Sequence, residues 1–275
     1  MNTDSAAGEG PAAPSADVGR LALQADSLLF SPARSTAELV QAYQLVYKNY
    51  LKSEYVDPHP SEMRYGAFNA LPSTATFVAK LNDEIVTTAS VVFDSPLGLP
   101  LEAIYHDEVE GLRAEHLRLC EVTMLADRRR LGFRALPSIL NLFRLILRYA
   151  LTFEKTTDVV ISVNPSHDAF YTKYLPFSDL GPLRYYPAVK NAPAVAKRVN
   201  LRTIADHKNH KLYGFFMESA LPEEVFSHRK RFTEEELREF FVVKRPIFRE
   251  LPPSKLDFIR SLYPEYKFER ILAPA

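Results

Sequence analysis

Runs of β-branched and aromatic residues alternate with segments of helical spacing along residues 35–201, and this alternation limits the fold more than any other feature of the chain. The runs predict strands over 74–80, 85–93, 117–126 and 159–163, followed by a hairpin over 183–201. The helical patterns predict a first helix from Ser35, a short acidic helix around 102–110, a long helix over 136–153 and a helix over 166–174. The sequence therefore predicts an α+β protein whose central sheet is flanked by helices.

The two ends of the chain differ in composition from the part between them. Residues 1–30 are predicted to be a disordered tail, because residues 1–20 are mostly Ala, Pro, Gly, Ser and acids and lack the basic and apolar regions of a signal peptide. A capping box at Thr233-x-x-Glu236 and the prolines at 252 and 253 predict a helical extension over 203–275. The main domain is expected over 31–202.

The charge and the cysteine content exclude several classes of protein. The 275 residues include 34 Lys+Arg and 34 Asp+Glu, so the net charge is zero and binding of nucleic acid by the chain as a whole is not expected. The single cysteine, Cys120, excludes an internal disulfide and a cysteine-based zinc cluster, and it suits a reducing cytoplasm. No apolar run approaches the roughly 20 residues that cross a bilayer. We expect a cytoplasmic protein without an integral membrane segment.

Common cofactor motifs are missing from the sequence. The pair His207-x-x-His210 has no supporting carboxylate or cysteine, which makes it a poor zinc signal. The sequence has no Walker loop, no dinucleotide fingerprint and no Gly-x-Ser-x-Gly elbow. We therefore expect no metal and no tightly bound cofactor.

The predicted strand over 117–126 carries a carboxylate in an apolar context. Alternation places one set of side chains on one face and a second set on the other: Leu119, Glu121, Thr123 and Leu125 against Cys120, Val122 and Met124. Loss of solvation raises the pKa of a glutamate from about 4.3 toward the range that is useful to a general base. The alternative is that Glu121 forms a structural ion pair with an arginine.

Two further segments contain candidate functional residues. Asn164 to Tyr171 follows the strand over 159–163; here Tyr171 is either a functional hydroxyl or a core aromatic like Phe170, and His167 is either a ligand contact or a hydrogen-bonding residue at the start of a helix. Residues 128–148 contain six arginines and no acid. The first four, Arg128, Arg129, Arg130 and Arg134, precede a predicted helix N-terminus, which attracts phosphate, although such a run is more often a solvated surface.

The order of elements resembles that of the GNAT acyltransferases, and five sequence blocks resemble FeeM-type long-chain N-acyl amino acid synthases. The blocks are Phe93–Pro100, Leu119–Thr123, Leu142–Arg144, Asn164–Tyr171 and Gly181–Val189. The chain is more distantly similar to acyl-homoserine lactone synthases, whose Glu-x-Ser/Thr-Arg motif reads Glu121-Val122-Thr123-Met124 here. The resemblance covers about residues 37–200. It implies the GNAT fold, with a mixed, mostly antiparallel sheet.

The resemblance also implies an activity and a set of site residues. The activity is N-acyl transfer from a long-chain acyl-phosphopantetheine thioester, on acyl carrier protein or CoA, to the amine of an amino acid or similar small molecule. Glu121 is implied as the base, and Tyr171 is implied beside the leaving sulfur. The implied pantetheine contacts are Arg128, Arg129, Arg130, Gly132, Arg134 and Asn164, and the implied substrate contacts are Thr123, His167 and Arg184.

The sequence departs from these families at three points. Where GNAT proteins have Gln/Arg-x-x-Gly-x-Gly/Ala, the loop from Arg129 ends in Arg134, which leaves room for an acyl carrier protein as the donor. Met124 replaces the motif arginine, and the chain lacks the tryptophan of the lactone synthases, which argues against lactone synthesis. Two alternatives stay open. The first is a catalytically silent GNAT domain that binds acyl carrier protein or lipid as a partner or sensor. The second is an acyltransferase for a polyamine or a protein amine.

Overall fold

The computed structural model describes residues 28–129, 135–153, 155–175, 177–201, 216 and 230–273. Within these ranges, no helix combines the length and the apolar character that spanning a bilayer requires. Most of the predicted tail and of residues 203–229 falls outside them. Arg130, Gly132 and Arg134 also fall outside them.

One seven-stranded sheet forms the centre of the protein, in the order β1-β2-β3-β4-β5-β7-β6. Its strands are β1 (Leu29–Pro32), β2 (Ala75–Leu81), β3 (Glu84–Phe93), β4 (Leu119–Asp127), β5 (Asp158–Val163), β6 (Ser178–Tyr186) and β7 (Ala192–Asn200). All neighbouring strands are antiparallel except β4 and β5, which are parallel. The predicted mixed, mostly antiparallel sheet is confirmed.

Helices flank the sheet and form the described part of the C-terminal region. The first four are α1 (Thr36–Lys52), α2 (Glu102–Ala114), α3 (Leu136–Phe153) and α4 (Asp168–Tyr174). The C-terminal ones are α5 (Glu234–Arg238), which continues as a π-helix over Glu239–Lys244, then α6 (Ile247–Glu250), α7 (Pro253–Ser261) and α8 (Phe268–Ile271). The largest apolar core lies between the sheet and α3. The predicted α+β class is confirmed.

Two edges of the sheet differ from the prediction. Strand β1 begins at Leu29 and pairs with β2, so residues 29 and 30 belong to the sheet and not to the predicted tail. Its four residues end in Pro32, which is too short a run for an alternating pattern and is a residue type that edge strands tolerate. The last hairpin begins at Ser178 instead of 183, because β6 is an exposed edge strand without an apolar run.

The C-terminal helices pack against α1 and the segment that follows it. Phe240 and Tyr263 share one buried apolar cluster with Tyr43 of α1. Two buried hydroxyls tie the contact together: Tyr65 donates to the Phe240 carbonyl at 2.6 Å, and Tyr263 donates to the Ala70 carbonyl at 2.6 Å. The described part of the C-terminal region therefore shares a core with the sheet domain.

A β-bulge interrupts β4. Ser90 of β3 pairs with Thr123, whereas Thr88 pairs with Ala126, so β4 holds one more residue than β3 between these pairs. Met124 lies in the bulge and has a left-handed backbone with φ of 53°. A left-handed non-glycine residue is strained, and such residues are concentrated near functional sites.

The bulge changes the face to which the later side chains of β4 point. The predicted alternation holds through Thr123. Beyond it, Leu125 packs into the α3 core that holds Cys120 and Val122, and Met124 packs against the α1 core. The prediction is therefore wrong for Met124 and Leu125, because one extra residue in a strand moves every later side chain to the opposite face of the sheet.

Strands β4 and β5 remain paired only along their first halves. The parallel register runs from Leu119 and Asp158 to Glu121 and Val160, while β5 continues to Val163. The strands separate beyond Glu121, close to the bulge. This separation opens the sheet at its centre.

We expect Tyr263→Phe to lower the free energy of unfolding by about 1–3 kcal/mol, because the buried Ala70 carbonyl loses its hydrogen-bond donor. Chemical denaturation of the full chain measures the change. Tyr185→Phe is the matched control, since Tyr185 is 64% exposed and should change stability by no more than about 0.5 kcal/mol. Equal stability of Tyr263→Phe and wild type would contradict the proposed importance of this contact.

Candidate active site

A cavity of about 430 Å³ occupies the space between the separated ends of β4 and β5. The two strands contribute walls from Glu121 to Leu125 and from Ile161 to Asn164. Other walls come from the end of α1, from α3 and α4, and from the β6–β7 hairpin: Asn49, Tyr50, Lys52, Ser53, Tyr55, Phe143, His167, Tyr171, Tyr186, Val189 and Ala192 to Ala194. The cavity therefore passes between both faces of the sheet.

Glu121 lies in the wall of this cavity and is only 2% exposed. Its Oε2 accepts the N–H of Leu101, the residue that precedes α2, at 2.7 Å. Burial raises the pKa of Glu121 to about 8; the Leu101 hydrogen bond opposes this shift and the nearby charge of Glu102 adds to it. The effect of desolvation on this pKa is larger than the opposing effect of the N–H at the start of α2. A carboxylate with this pKa can accept a proton near neutral pH.

Glu121 has no arginine or lysine within salt-bridge distance among the described residues. The sequence left open a structural ion pair as the alternative to a functional role. The carboxylate instead lines one cavity with the phenols of Tyr50 and Tyr186, whose pKa is raised by burial and further by the charge of Glu121. The contacts do not support the structural alternative.

Tyr171 of α4 lines the same cavity, within an aromatic cluster. Its ring centroid is 6.1 Å from that of Phe143, 5.0 Å from that of Phe170 and 6.0 Å from that of Phe177. Burial, together with nearby Tyr50, raises the pKa of Tyr171 above its usual range. The phenol therefore stays protonated and can act as a hydrogen-bond or proton donor, even though its ring is part of the core.

Asn164 and His167 form the end of the cavity after β5. The Asn164 Oδ1 accepts the backbone N–H of Ser166 at 3.0 Å, and its amide donates to the Tyr55 hydroxyl at 3.0 Å. Asn164 is thus a helix cap that also contacts a cavity residue. His167 lines the cavity and is half-buried, and burial lowers its pKa, which favours the neutral ring. Thr123, at the bulge, lines the same cavity.

The structure does not bring Arg128 or Arg129 to the cavity. Arg128 is exposed and pairs with Glu84 at the end of the hairpin. The Arg129 side chain and backbone both donate to the buried carboxylate of Asp127, with N–H to Oδ1 at 2.8 Å, and its guanidinium also contacts Ser138. Both acidic partners, Glu84 and Asp127, lie outside the acid-free segment over 128–148.

Arg184 also lies outside the cavity. Its guanidinium forms an ion pair with Glu108 of α2 at 2.7 Å, donates to the Ile104 carbonyl and lies 4.8 Å over the ring of Tyr105. These contacts attach strand β6 to α2. The predicted role of Arg184 as a substrate contact has no support from its position.

A candidate metal-ligand group exists away from this cavity. Ligand atoms of Glu102, His106 and Glu110 lie within 4.8 Å of one another. Arg113 already binds both carboxylates, at 2.5 Å from each, and it also binds Asp94. The guanidinium occupies the position that a cation would need, so these residues do not fit a metal ion.

The sequence analysis missed three tyrosines in the wall of the cavity. Tyr50 and Tyr55 come from the end of α1 and the loop after it, and Tyr186 from the β6–β7 hairpin. The helical spacing of Tyr50 marked it as a buried position, and Tyr186 lies in one of the family blocks. Neither signal indicated a cavity, because the three tyrosines meet only through the tertiary fold.

Comparison of the chain with known protein families and solved structures identifies its family. A family model described as N-acyl amino acid synthase FeeM matches residues 41–200, which is more than half of the chain. This chain belongs to the FeeM family. It is therefore an N-acyltransferase. No curated protein sequence matches it significantly.

Solved structures agree with this assignment. FeeM, an N-acyl amino acid synthase from uncultured soil microbes, is 28% identical; the match covers 69% of this chain and 97% of FeeM, with a TM-score of 0.58. The AHL synthase LasI is 16% identical over 71% of this chain and 96% of its own, with a TM-score of 0.51, which shows a shared fold. The predicted GNAT fold is confirmed.

The buried Glu121 predicts a pH-dependent stability. Its pKa rises from 4.5 in the unfolded chain to about 8 in the fold, so the folded protein keeps a proton that the unfolded chain releases. Between these values the contribution of Glu121 to the free energy of unfolding falls as pH rises, by up to about 1.4 kcal/mol per pH unit. Glu121→Gln, which stays neutral, should gain stability relative to wild type across this window.

Denaturant titrations of both proteins from pH 5 to 8 measure the difference. Both chains carry the same other titratable groups, so subtraction isolates Glu121. A constant difference over this range would mean that Glu121 titrates at an ordinary pKa.

Proposed function

We propose that this N-acyltransferase joins a long-chain acyl group, delivered as a phosphopantetheine thioester, to the amine of an amino acid. The observation that carries the proposal is that Glu121 and Tyr171 line one cavity at the point where β4 and β5 separate. One side chain has a pKa near neutrality and the other stays protonated. Amide formation from a thioester needs both a base and an acid.

The cavity suggests where each substrate lies. The walls from α3, α4 and the end of β5 include Phe143, Tyr171 and Asn164, and we assign the thioester and pantetheine arm to this side. The acceptor amine then approaches from the side of Glu121. The carbonyl carbon of the thioester would lie between them, at the point where β4 and β5 separate.

The reaction balances with these two groups. The acceptor ammonium gives one proton to Glu121 and its nitrogen attacks the thioester carbonyl, which forms the C–N bond. The C–S bond breaks, and Tyr171 gives its proton to the leaving thiolate. Tyr171 then regains a proton from the nitrogen, and Glu121 releases its proton to solvent. The products are the amide, the thiol and one proton.

We infer that an acyl carrier protein delivers the thioester. The inference rests on the family resemblance and on the loop from Arg129 to Arg134, whose last position differs from the CoA-binding pattern. Lys52 lines the cavity, and Arg128 is exposed nearby in sequence to the loop, so basic groups are available to an acidic carrier. Since Arg129 binds buried Asp127, it is not available for docking.

The test is acyl transfer with purified protein, a panel of amino acids and matched palmitoyl donors on acyl carrier protein and on CoA. We expect an N-acyl amino acid by mass spectrometry and a higher kcat/KM with the carrier protein. Glu121→Gln should lower kcat by about 10²-fold or more, because a positioned base contributes 10²–10⁴-fold. For the wild type, kcat/KM should rise with pH and level off above about pH 8, because Glu121 ionises with a pKa of about 8.

Three results would contradict parts of this proposal. Activity of Glu121→Gln within a few-fold of wild type would remove Glu121 as the base. A preference for CoA would remove the carrier protein. The absence of any N-acyl amino acid, with acylation of a polyamine instead, would remove the amino acid as the acceptor.

Tyr171→Phe should lower kcat by more than it raises the KM for the donor, because an acid acts on the leaving thiolate mainly in the transition state. The ring contacts with Phe143 and Phe177 are kept in this variant, so the fold is preserved. A donor with an acidic thiophenol leaving group needs no acid and should restore the rate. Equal defects with both donors would show that Tyr171 acts through packing alone.

A further inference from the structure

A second cavity, of about 820 Å³, adjoins the first on the side of α1 and α2. The two cavities share walls at Tyr50, Thr123, Met124, Tyr186 and Val189. The remaining walls come mainly from residues 64–69 and 95–100, and several are apolar: Phe68, Leu97, Leu99 and Pro100. Glu121 lines the first cavity, so a molecule that extends across the shared walls from the second cavity can present a group to the base.

Arg64 supplies an uncompensated positive charge to this cavity. Its Nη2 donates to the Ala188 carbonyl at 3.1 Å, and its guanidinium carbon lies 5.8 Å from the ring centroid of Tyr50. Among the described residues, no carboxylate lies within salt-bridge distance of it. By contrast, Arg113 in the same wall is fully engaged by Asp94 and acids of α2.

Arg64 and Glu121 line adjoining cavities that share the phenols of Tyr50 and Tyr186. In the second cavity the guanidinium carbon of Arg64 lies 5.8 Å from the ring centroid of Tyr50, and Glu121 lines the first cavity. Burial raises the pKa of both phenols, Glu121 raises it further, and Arg64 opposes the shift. The cation and the base therefore lie near the same rings. An amino acid carries an amine and a carboxylate on one carbon, and this spacing suits a base on one side of the rings and a guanidinium on the other.

We propose that Arg64 binds the α-carboxylate of the acceptor and so selects amino acids over simple amines. The inference rests on the proposed function and names the group that recognises the substrate. A planar guanidinium binds a carboxylate through two parallel hydrogen bonds, which fixes orientation as well as position. The amine on the same carbon is then directed to Glu121, while the acceptor side chain contacts the apolar walls.

Arg245 is a positioning residue for Arg64. It lies after the π-helix of the C-terminal region, outside the part of the chain that the FeeM family model matches. Its Nη1 donates to the carbonyl of Met63, the residue before Arg64, at 3.2 Å, and its guanidinium carbon is 5.8 Å from the Tyr65 ring centroid. Burial and the charge of Arg64 both lower the pKa of Arg245. The hydrogen bond to the Met63 carbonyl thus fixes the backbone next to Arg64.

The experiment compares two acceptors and two proteins. Phenylalanine and phenethylamine differ only in the carboxylate, and wild type should use phenylalanine with a much lower KM. Arg64→Gln should raise the KM for phenylalanine by roughly 10- to 100-fold. It should change kcat little, and it should leave phenethylamine and the acyl donor within a few-fold of wild type. Arg64→Lys should recover part of the loss.

Distinct outcomes separate the inference from the proposed function. Equal losses with both acceptors, or a rise in the KM for the acyl donor, would overturn the assignment of Arg64 while acyl transfer itself stands. If wild type acylates neither acceptor, calorimetry with Glu121→Gln protein still tests the site. Phenylalanine should bind this protein, and the added Arg64→Gln change should weaken binding by a similar factor. Absent or unchanged binding would overturn the inference.

The test of Arg245 compares KM values for the two acceptors, a difference that a purely structural role would not produce. Arg245→Gln should raise the KM for phenylalanine by less than Arg64→Gln does, with phenethylamine unaffected, and Arg245→Lys should restore it. The double variant should be no worse than Arg64→Gln alone, since Arg245 acts through Arg64. Additive losses would mean that Arg245 acts independently.

Discussion

Strands β4 and β5 separate after Glu121 and Val160, and the candidate active site depends on this single break in the sheet. A paired sheet would leave no passage between its two faces. The bulge at Met124 accompanies the break, because an extra residue in β4 shifts its later side chains to new faces. Cys120 and Val122, in the first half of β4, remain packed in the α3 core. The cavity is thus held open by well-packed elements on both sides.

The same geometry explains why Glu121 can be buried without a cation. Its carboxylate needs a hydrogen-bond donor, and the N–H of Leu101 at the start of α2 supplies one. A lysine or arginine partner would lower its pKa and weaken it as a base. Among the described residues Glu121 has no such partner, and its pKa stays high enough for it to accept a proton near neutral pH. The free energy that burial costs is offset by the surrounding core. Arg113, which engages Asp94 and the acids of α2, holds neighbouring negative charge in place.

The sequence predicted the features that local pattern controls. Long periodic segments such as α3, and the β-branched run of β5, were identified with nearly correct bounds. Glu121 is a candidate because it is a carboxylate in an apolar strand, and Tyr171 because of its position in the helix after β5 and the family resemblance; both line the cavity. Pattern failed where distant residues decide the outcome. The bulge at Met124 depends on β3, and Arg128 and Arg184 have acidic partners far along the chain. Arg64 has no local signal at all.

The C-terminal helices have a consequence for the site as well as for stability. The FeeM family match ends at residue 200, yet residues beyond it contact the segment that carries Arg64: Arg245 holds the Met63 carbonyl, and Phe240 accepts from the Tyr65 hydroxyl. Lys255 of α7 also reaches the second cavity, where it donates to the Leu97 carbonyl. A guanidinium on a long side chain binds a carboxylate well only if its backbone is fixed, since rotamer entropy otherwise opposes the contact. Contacts on both sides of Arg64 supply that fixation. In this chain the C-terminal helices therefore support the wall that we propose orients the acceptor.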